Sequence, residues 1–90
     1  MKTKLVKKNL NDILKPKLKE DIIKDLSNLS QEEKNIKLRI ASYNGYLDLV
    51  KLLINNGADV NAKNNFGFTS LMLASVNDHM DIVNLLIKLN

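Results

Sequence analysis

The chain has no cysteine and no tryptophan, one proline, one histidine and three glycines among its 90 residues. Without cysteine there is no disulfide framework, no thiolate metal site and no cysteine nucleophile. A single histidine, His79, does not make a metal site by itself. The three glycines are scattered, so none belongs to a phosphate-cradling loop, and each reads as a turn residue. Long apolar runs are missing as well. No stretch approaches the ~18 consecutive apolar residues of a transmembrane helix. Near the N-terminus, lysines interrupt each apolar run before it reaches the roughly seven residues of a signal-peptide core. The expectation is an intracellular or cytoplasmic protein with no signal peptide, no cofactor and no metal.

What is present is lysine, and its placement is uneven. The formal charge is +4, yet residues 1–19 alone hold seven lysines against one aspartate, leaving the remainder net negative by two. The basicity belongs to a leader rather than to the body of the chain. Leu5, Leu10, Ile13 and Leu14 give that leader a weak amphipathic face, and Pro16 ends any helix there. Residues 1–18 are therefore expected to be a flexible or partly helical basic leader. Lys2, Lys4, Lys7 and Lys8 could meet nucleic acid or an anionic membrane, since lysine clusters neutralise phosphates. No aromatic residue is interleaved with them, which removes support for recognition of single strands by stacking.

The rest reads as short helices. Residues 19–25 predict a helix with Ile22, Ile23 and Leu26 on its buried side and a stop at Ser27-Asn28. Ser30-Gln31-Glu32-Glu33 is a capping box, which predicts a helix from Ser30 to about Tyr43 with Ile36, Leu38, Ile40 and Ala41 facing inward. Asn44-Gly45 breaks it. A second helix over 47–55 is so rich in Leu, Val and Ile that it must be covered on more than one side. Asn56-Gly57 ends that helix, because glycine adopts the left-handed conformation without a Cβ penalty. Residues 58–68 carry Asn, Asp and Gly without helical period and predict a turn-rich loop. Helices over 70–76 and 80–89, joined at Asn77-Asp78, complete the chain.

Shifted by 33 residues the sequence meets itself. Leu38 pairs with Leu71, Ala41 with Ala74, Ser42 with Ser75, Asp48 with Asp81, Val50 with Val83, and Leu52-Leu53-Ile54 with Leu85-Leu86-Ile87. A helix–turn–helix–loop unit at that period, with GYLDLVKLLINNGADVNAK, GFTSLMLAS and HMDIVNLLI as the matching stretches, resembles the ankyrin repeat family over residues 36–90. The resemblance implies an all-α ankyrin-repeat solenoid, with helix–turn–helix units joined by a hairpin-like loop and a helical N-terminal extension. It divides the chain into a leader (1–18), an N-terminal helical cap (19–35) and two repeats (36–90).

The family's threonine-proline-leucine-histidine motif is matched in part, by Thr69-Ser70-Leu71-Met72 and by Ile36-Lys37-Leu38-Arg39. Proline and histidine are absent from both, which implies a softer joint between units. Arg39 and Met72, at the histidine position, are expected as packing replacements. Asp78 replaces the inter-helix glycine seen at Gly45. Arrays generally need about three units. The uncovered last helix therefore implies a fragment of a longer array, a leader that adds core, or self-association through that helix.

The family is one of protein-binding scaffolds, so the resemblance implies a non-enzymatic protein–protein interaction module with a protein partner of unknown identity. Its contact positions carry over to loop 59–67 and the adjoining first-helix face: Asn65, Phe66, Phe68, Val76 and Asn77 in the second unit, Tyr43 and Asn44 in the first. Phe66 and Phe68 flank Gly67 and are expected as interface anchors, with packing of Phe66 on the neighbouring loop as the alternative. Of Tyr43 and Tyr46, one is expected exposed and one partly buried. Asp48 and Asp81 read as helix-dipole residues and His79 as a turn-packing residue, with no nucleophile beside it. The alternative function is a basic N-terminal tether to nucleic acid or an anionic membrane, with the repeats as a spacer.

Overall fold

The computed structural model describes residues 26–89. The predicted leader over 1–18, including Lys2, Lys4, Lys7 and Lys8, and the helix predicted over 19–25 lie outside them. Residues 26–28 are helical, and four helices follow: α1 (Gln31–Asn44), α2 (Leu47–Asn55), α3 (Ser70–Val76) and α4 (Met80–Leu89). Among the described residues there is no strand, and no helix is long and apolar enough to cross a membrane. Among the described residues the architecture is all-α, with two helix–turn–helix units, α1–α2 and α3–α4. The first helices α1 and α3 pack on each other, as does each helix pair.

Each boundary has a local cause. At the start of α1 the Ser30 Oγ accepts the Glu33 N–H at 3.2 Å, and the Glu33 carboxylate accepts the Ser30 N–H at 3.0 Å, so the capping box is complete. Gly45, with φ of 79°, ends the helix in the left-handed region, where a side chain costs ~1–2 kcal/mol. Its counterpart Asp78 holds φ of 61°. Thr69 Oγ1 caps α3 by accepting the Met72 N–H at 3.3 Å.

The repeat is visible in individual hydrogen bonds. Tyr46 N–H donates to Ala41 O as His79 N–H does to Ala74 O; Leu47 to Gly45 as Met80 to Asp78; Val50 to Tyr46 as Val83 to His79. Ser42 and Ser75 each return their hydroxyl to the carbonyl four residues back, Leu38 and Leu71, at 2.7 Å. The same register fills the core: Leu38, Ala41, Val50 and Leu53 from the first unit, Ala74, Ile82, Val83 and Leu86 from the second, with Leu26 and Ala58 completing it. Each fully buried leucine contributes about 1.5–3 kcal/mol.

Three expectations are corrected. Ile36 and Ile40 do not face inward; both are exposed, because α1 buries its Leu38 and Ala41 side and leaves the Ile36–Ile40 stripe open. Tyr43 and Tyr46 are both exposed at either end of the turn between α1 and α2, which the second unit meets at the Tyr43 carbonyl. Met72 is not a packing residue but half-exposed, whereas Arg39, at the same register, is buried.

The joint expected to be soft has other ties. Asn77 Nδ2 donates to the Tyr43 carbonyl at 2.7 Å, and His79 Nε2 meets the same oxygen at 3.0 Å. A carbonyl only accepts, so this contact places the proton on Nε2. His79 thus has the turn-packing role expected of it. At the other end, buried Asn35 accepts the Asp59 N–H at 2.7 Å and the Gln31 amide at 2.9 Å, while Gln31 also donates to Gly57 O at 2.8 Å. The first turns of α1 thereby hold the loop that follows α2.

Three outcomes follow for stability. A Cβ on Gly45 would lie 2.5 Å from His79 Cε1, whereas one on Gly57, also left-handed, would meet nothing within 4 Å. Urea unfolding should therefore show Gly45→Ala costing about 2–3 kcal/mol, from conformational strain plus the displaced His79 bond, and Gly57→Ala only about 1 kcal/mol. Ser70 is buried with an unpartnered Oγ at the first position of α3, and Thr69 before it is extended, with ψ of 169°. Proline fits such a position, so Ser70→Pro should raise stability by about 1 kcal/mol or more, read as a Tm increase of several degrees. The Ser30 backbone N–H, then the Ser30 hydroxyl, hold the Glu33 carboxyl below the ordinary glutamate range, with Lys37 adding to this. A lowered native pKa gives stability that is present above the ordinary glutamate value and lost as pH falls through the native one. Thermal midpoints of wild type and Glu33→Gln should differ most near neutrality and converge in acid.

Candidate functional site

The loop between α2 and α3 is built around one asparagine. Asn64 Oδ1 accepts the N–H groups of Phe66 and Phe68, each at 2.9 Å. The Asn64 N–H donates to Phe68 O at 2.9 Å, and the Gly67 N–H to Asn64 O at 3.0 Å. Gly67 has φ of 83°, which closes the turn. Upstream, Asp59 Oδ1 accepts the Asn61 N–H at 2.9 Å, a second side-chain-to-backbone turn. The loop is thus fixed by its own polar side chains and by Gln31 and Asn35 from α1.

This scaffold leaves its aromatic residues outside. Phe66 is 82% exposed and Phe68 46%, with ring centroids 6.4 Å apart. The alternative in which Phe66 packs on the neighbouring loop is therefore not what the fold does. An exposed pair of this kind is held in place by backbone hydrogen bonds rather than by burial of the rings.

Beside the loop lies an open groove of about 490 Å³, lined along α1 by Glu32, Ile36, Arg39, Ile40, Tyr43 and Asn44 and completed by Lys63, Asn64, Asn65 and Leu73. Of the residues singled out from the sequence, Tyr43, Asn44 and Asn65 line it. Val76 and Asn77 are exposed at the end of α3 and do not. The two asparagines Asn44 and Asn77 commit their amide N–H to the fold, Asn44 to Ile40 O at 2.8 Å and Asn77 to the Tyr43 carbonyl. Sequence reasoning missed Ile36, Ile40 and Arg39 as groove residues, and Asn64 as the residue that shapes the loop. The spacing of Ile36 and Ile40, one turn apart on a stripe different from Leu38 and Ala41, was the available signal.

Chemically the groove combines apolar side chains, Ile36, Ile40, Tyr43 and Leu73, with two cations, Arg39 and Lys63, one carboxylate, Glu32, and the amides of Asn44, Asn64 and Asn65. Among the described residues no group of three or more His, Cys, Asp and Glu side chains is placed to hold a metal ion.

Comparison with known proteins agrees with this geometry. The sequence model of the family described as ankyrin repeats (3 copies) matches residues 4–90, a span that includes the segments read as leader and cap. A Rickettsia bellii (strain RML369-C) protein that carries the name of an ankyrin repeat protein is 56% identical over 34 residues, 38% of this chain and 14% of that protein. A protein of Oryza sativa subsp. japonica named as a probable E3 ubiquitin-protein ligase, XBOS33, is 50% identical over 40 residues, 44% of this chain and 8% of that protein. The chain thus spans only a small part of the length of either relative. Ankyrin repeats are generally protein–protein interaction modules and typically non-enzymatic. With the 33-residue register, the helix–turn–helix units and the match to the family over nearly its whole length, this chain belongs to the ankyrin repeat family.

Proposed function

We propose that this chain binds a protein partner through the groove along α1 and the adjoining tip of the loop, with Phe66 and Phe68 as anchors and Tyr43, Asn44 and Asn65 as flanking contacts. Val76 and Asn77 extend the same face to the end of α3. The observation that carries this reading is the conformation of the loop tip. Two phenylalanines are held exposed by a hydrogen-bonded turn that does not need their rings for its own stability. Aromatic side chains presented on a preordered backbone lose little entropy on binding, which is what makes them effective anchors.

The groove supplies a second kind of contact. Ile36, Ile40 and Tyr43 are exposed apolar groups in one row along α1, suited to cover by the apolar side of a partner segment. No chemistry is asked of the site. The partner is held, not transformed.

Affinity capture with the full chain tests this. Phe66→Ala and Phe68→Ala together should reduce capture of a specific partner by about 30-fold or more, the loss of at least 2 kcal/mol expected of a pair of hot-spot aromatics. Asn64→Ala, which leaves both rings present but removes their tether, should produce a smaller loss of the same sign. Replacing Lys2, Lys4, Lys7 and Lys8 by Gln should leave capture unchanged. Capture that survives the phenylalanine changes and disappears with the lysines would replace the binding face by the tether.

A further inference from the structure

Arg39 is the anomaly of the groove. It is 7% exposed on α1, and among the described residues its guanidinium has a single partner, the Glu32 carboxylate at 4.0 Å. An arginine offers five N–H donors in a rigid fork, and none of them makes a hydrogen bond to a described residue. The arm is buried but the guanidinium nitrogens reach the groove, since among the described residues Ser70 Oγ is the one fully buried side-chain polar atom without a partner. Glu32 is at the limit of ion-pair distance, and its own side chain is 74% exposed, so it holds the place loosely. Nor does the register demand a cation, because Met72 occupies the equivalent position one unit later.

We propose that Arg39 is a specificity site that receives the carboxylate of an aspartate or glutamate within a partner segment, flanked on both sides by apolar residues of that segment. The inference rests on the protein-binding reading above and names the chemistry the groove selects. Two features of the groove fix the form of the occupant. Ile36 lies one turn before Arg39 and Ile40 and Tyr43 lie after it, with Leu73 opposite on α3. Apolar surface on either side calls for a carboxylate in the middle of a chain rather than at its end. Charge complementarity gives the sign: Arg39 and Lys63 face the groove against Glu32 alone, within a part of the chain that is otherwise net negative. A planar fork accepts a carboxylate by two parallel hydrogen bonds, and the exposed Glu32 can swing away to leave both open.

The test pans a display library of random short peptides over the full chain. The enriched sequences are then made as synthetic peptides with amidated C-termini, and their affinities are measured by fluorescence polarisation. The expected enrichment is an Asp or Glu between apolar residues. Arg39→Met, which borrows the residue found at position 72, should weaken those peptides roughly tenfold or more while the helical circular dichroism is retained. Glu32→Gln removes the competing carboxylate on an exposed side chain and should tighten the same peptides by about threefold. A merely structural arginine would give no such gain.

Acidic peptides that bind Arg39→Met and Glu32→Gln as they bind wild type would overturn the inference and leave the groove reading standing, provided Ile40→Glu still abolishes binding. Peptides insensitive to Ile40→Glu would overturn both. Enrichment of sequences without an acid, a requirement for a free C-terminal carboxylate, or no enrichment at all would each overturn the Arg39 site.

Discussion

A helix of seven residues, the length of α3, forms too few internal hydrogen bonds to repay its own nucleation, and α2 at nine residues is little better placed. Their persistence depends on burial against neighbours: α3 packs chiefly on α1, the equivalent helix one unit away, and α2 chiefly on α1 within its own unit. Ala41 on α1 and Ala74 on α3 are both fully buried, as is Leu38, and side chains as small as alanine allow helices to approach closely. The 33-residue spacing follows from that dependence. Each unit presents the surface that the next unit needs, so the same residues must recur at the same places. The duplicated hydrogen bonds at the two turns are the geometric record of that requirement.

On the proposed reading, stability and recognition are kept on different atoms. The joint between units uses buried apolar side chains and backbone carbonyls. The loop uses Asn64, Asp59, Asn35 and Gln31, polar groups that satisfy backbone N–H and C=O from within. Neither needs Phe66, Phe68, Ile36 or Ile40, which are left outside. Those apolar groups carry no evident duty in the fold, and that is the physical reason for assigning them to a partner.

Much of this was legible in the sequence. The helices over 47–55, 70–76 and 80–89 and the capping box at Ser30 were readable because caps, glycines and apolar period agreed with one another. The inward side of α1 was not. Ile36 and Ile40 form one apolar stripe and Leu38 and Ala41 another, and periodicity alone does not rank two such stripes on one helix. Arg39 was legible as a substitution at the histidine position, though not as a buried side chain lining a groove, because burial depends on tertiary packing that periodicity does not report. The joint was expected to be soft for want of that histidine, and the bonds that hold it come instead from Asn77 and His79. Leu26 shows a further limit. Asp21 to Leu26 follows the polar and apolar pattern of Asp48 to Leu53 and of Asp81 to Leu86 at every place but Asp25, where both later copies have Leu, and Leu26 is buried as Leu53 and Leu86 are. Its offset from the second copy is shorter than the offset between the second and third, so a fixed-period comparison passes over it.

The oxygen on which Asn77 and His79 converge belongs to the backbone of Tyr43, not to its side chain. A main-chain acceptor is blind to the identity of the residue that carries it. The hinge between modules can therefore remain constant while the phenol above it is exchanged for any other group. Mutation at this position alters the surface without loosening the frame, so on the proposed reading a change of partner leaves the architecture as it was.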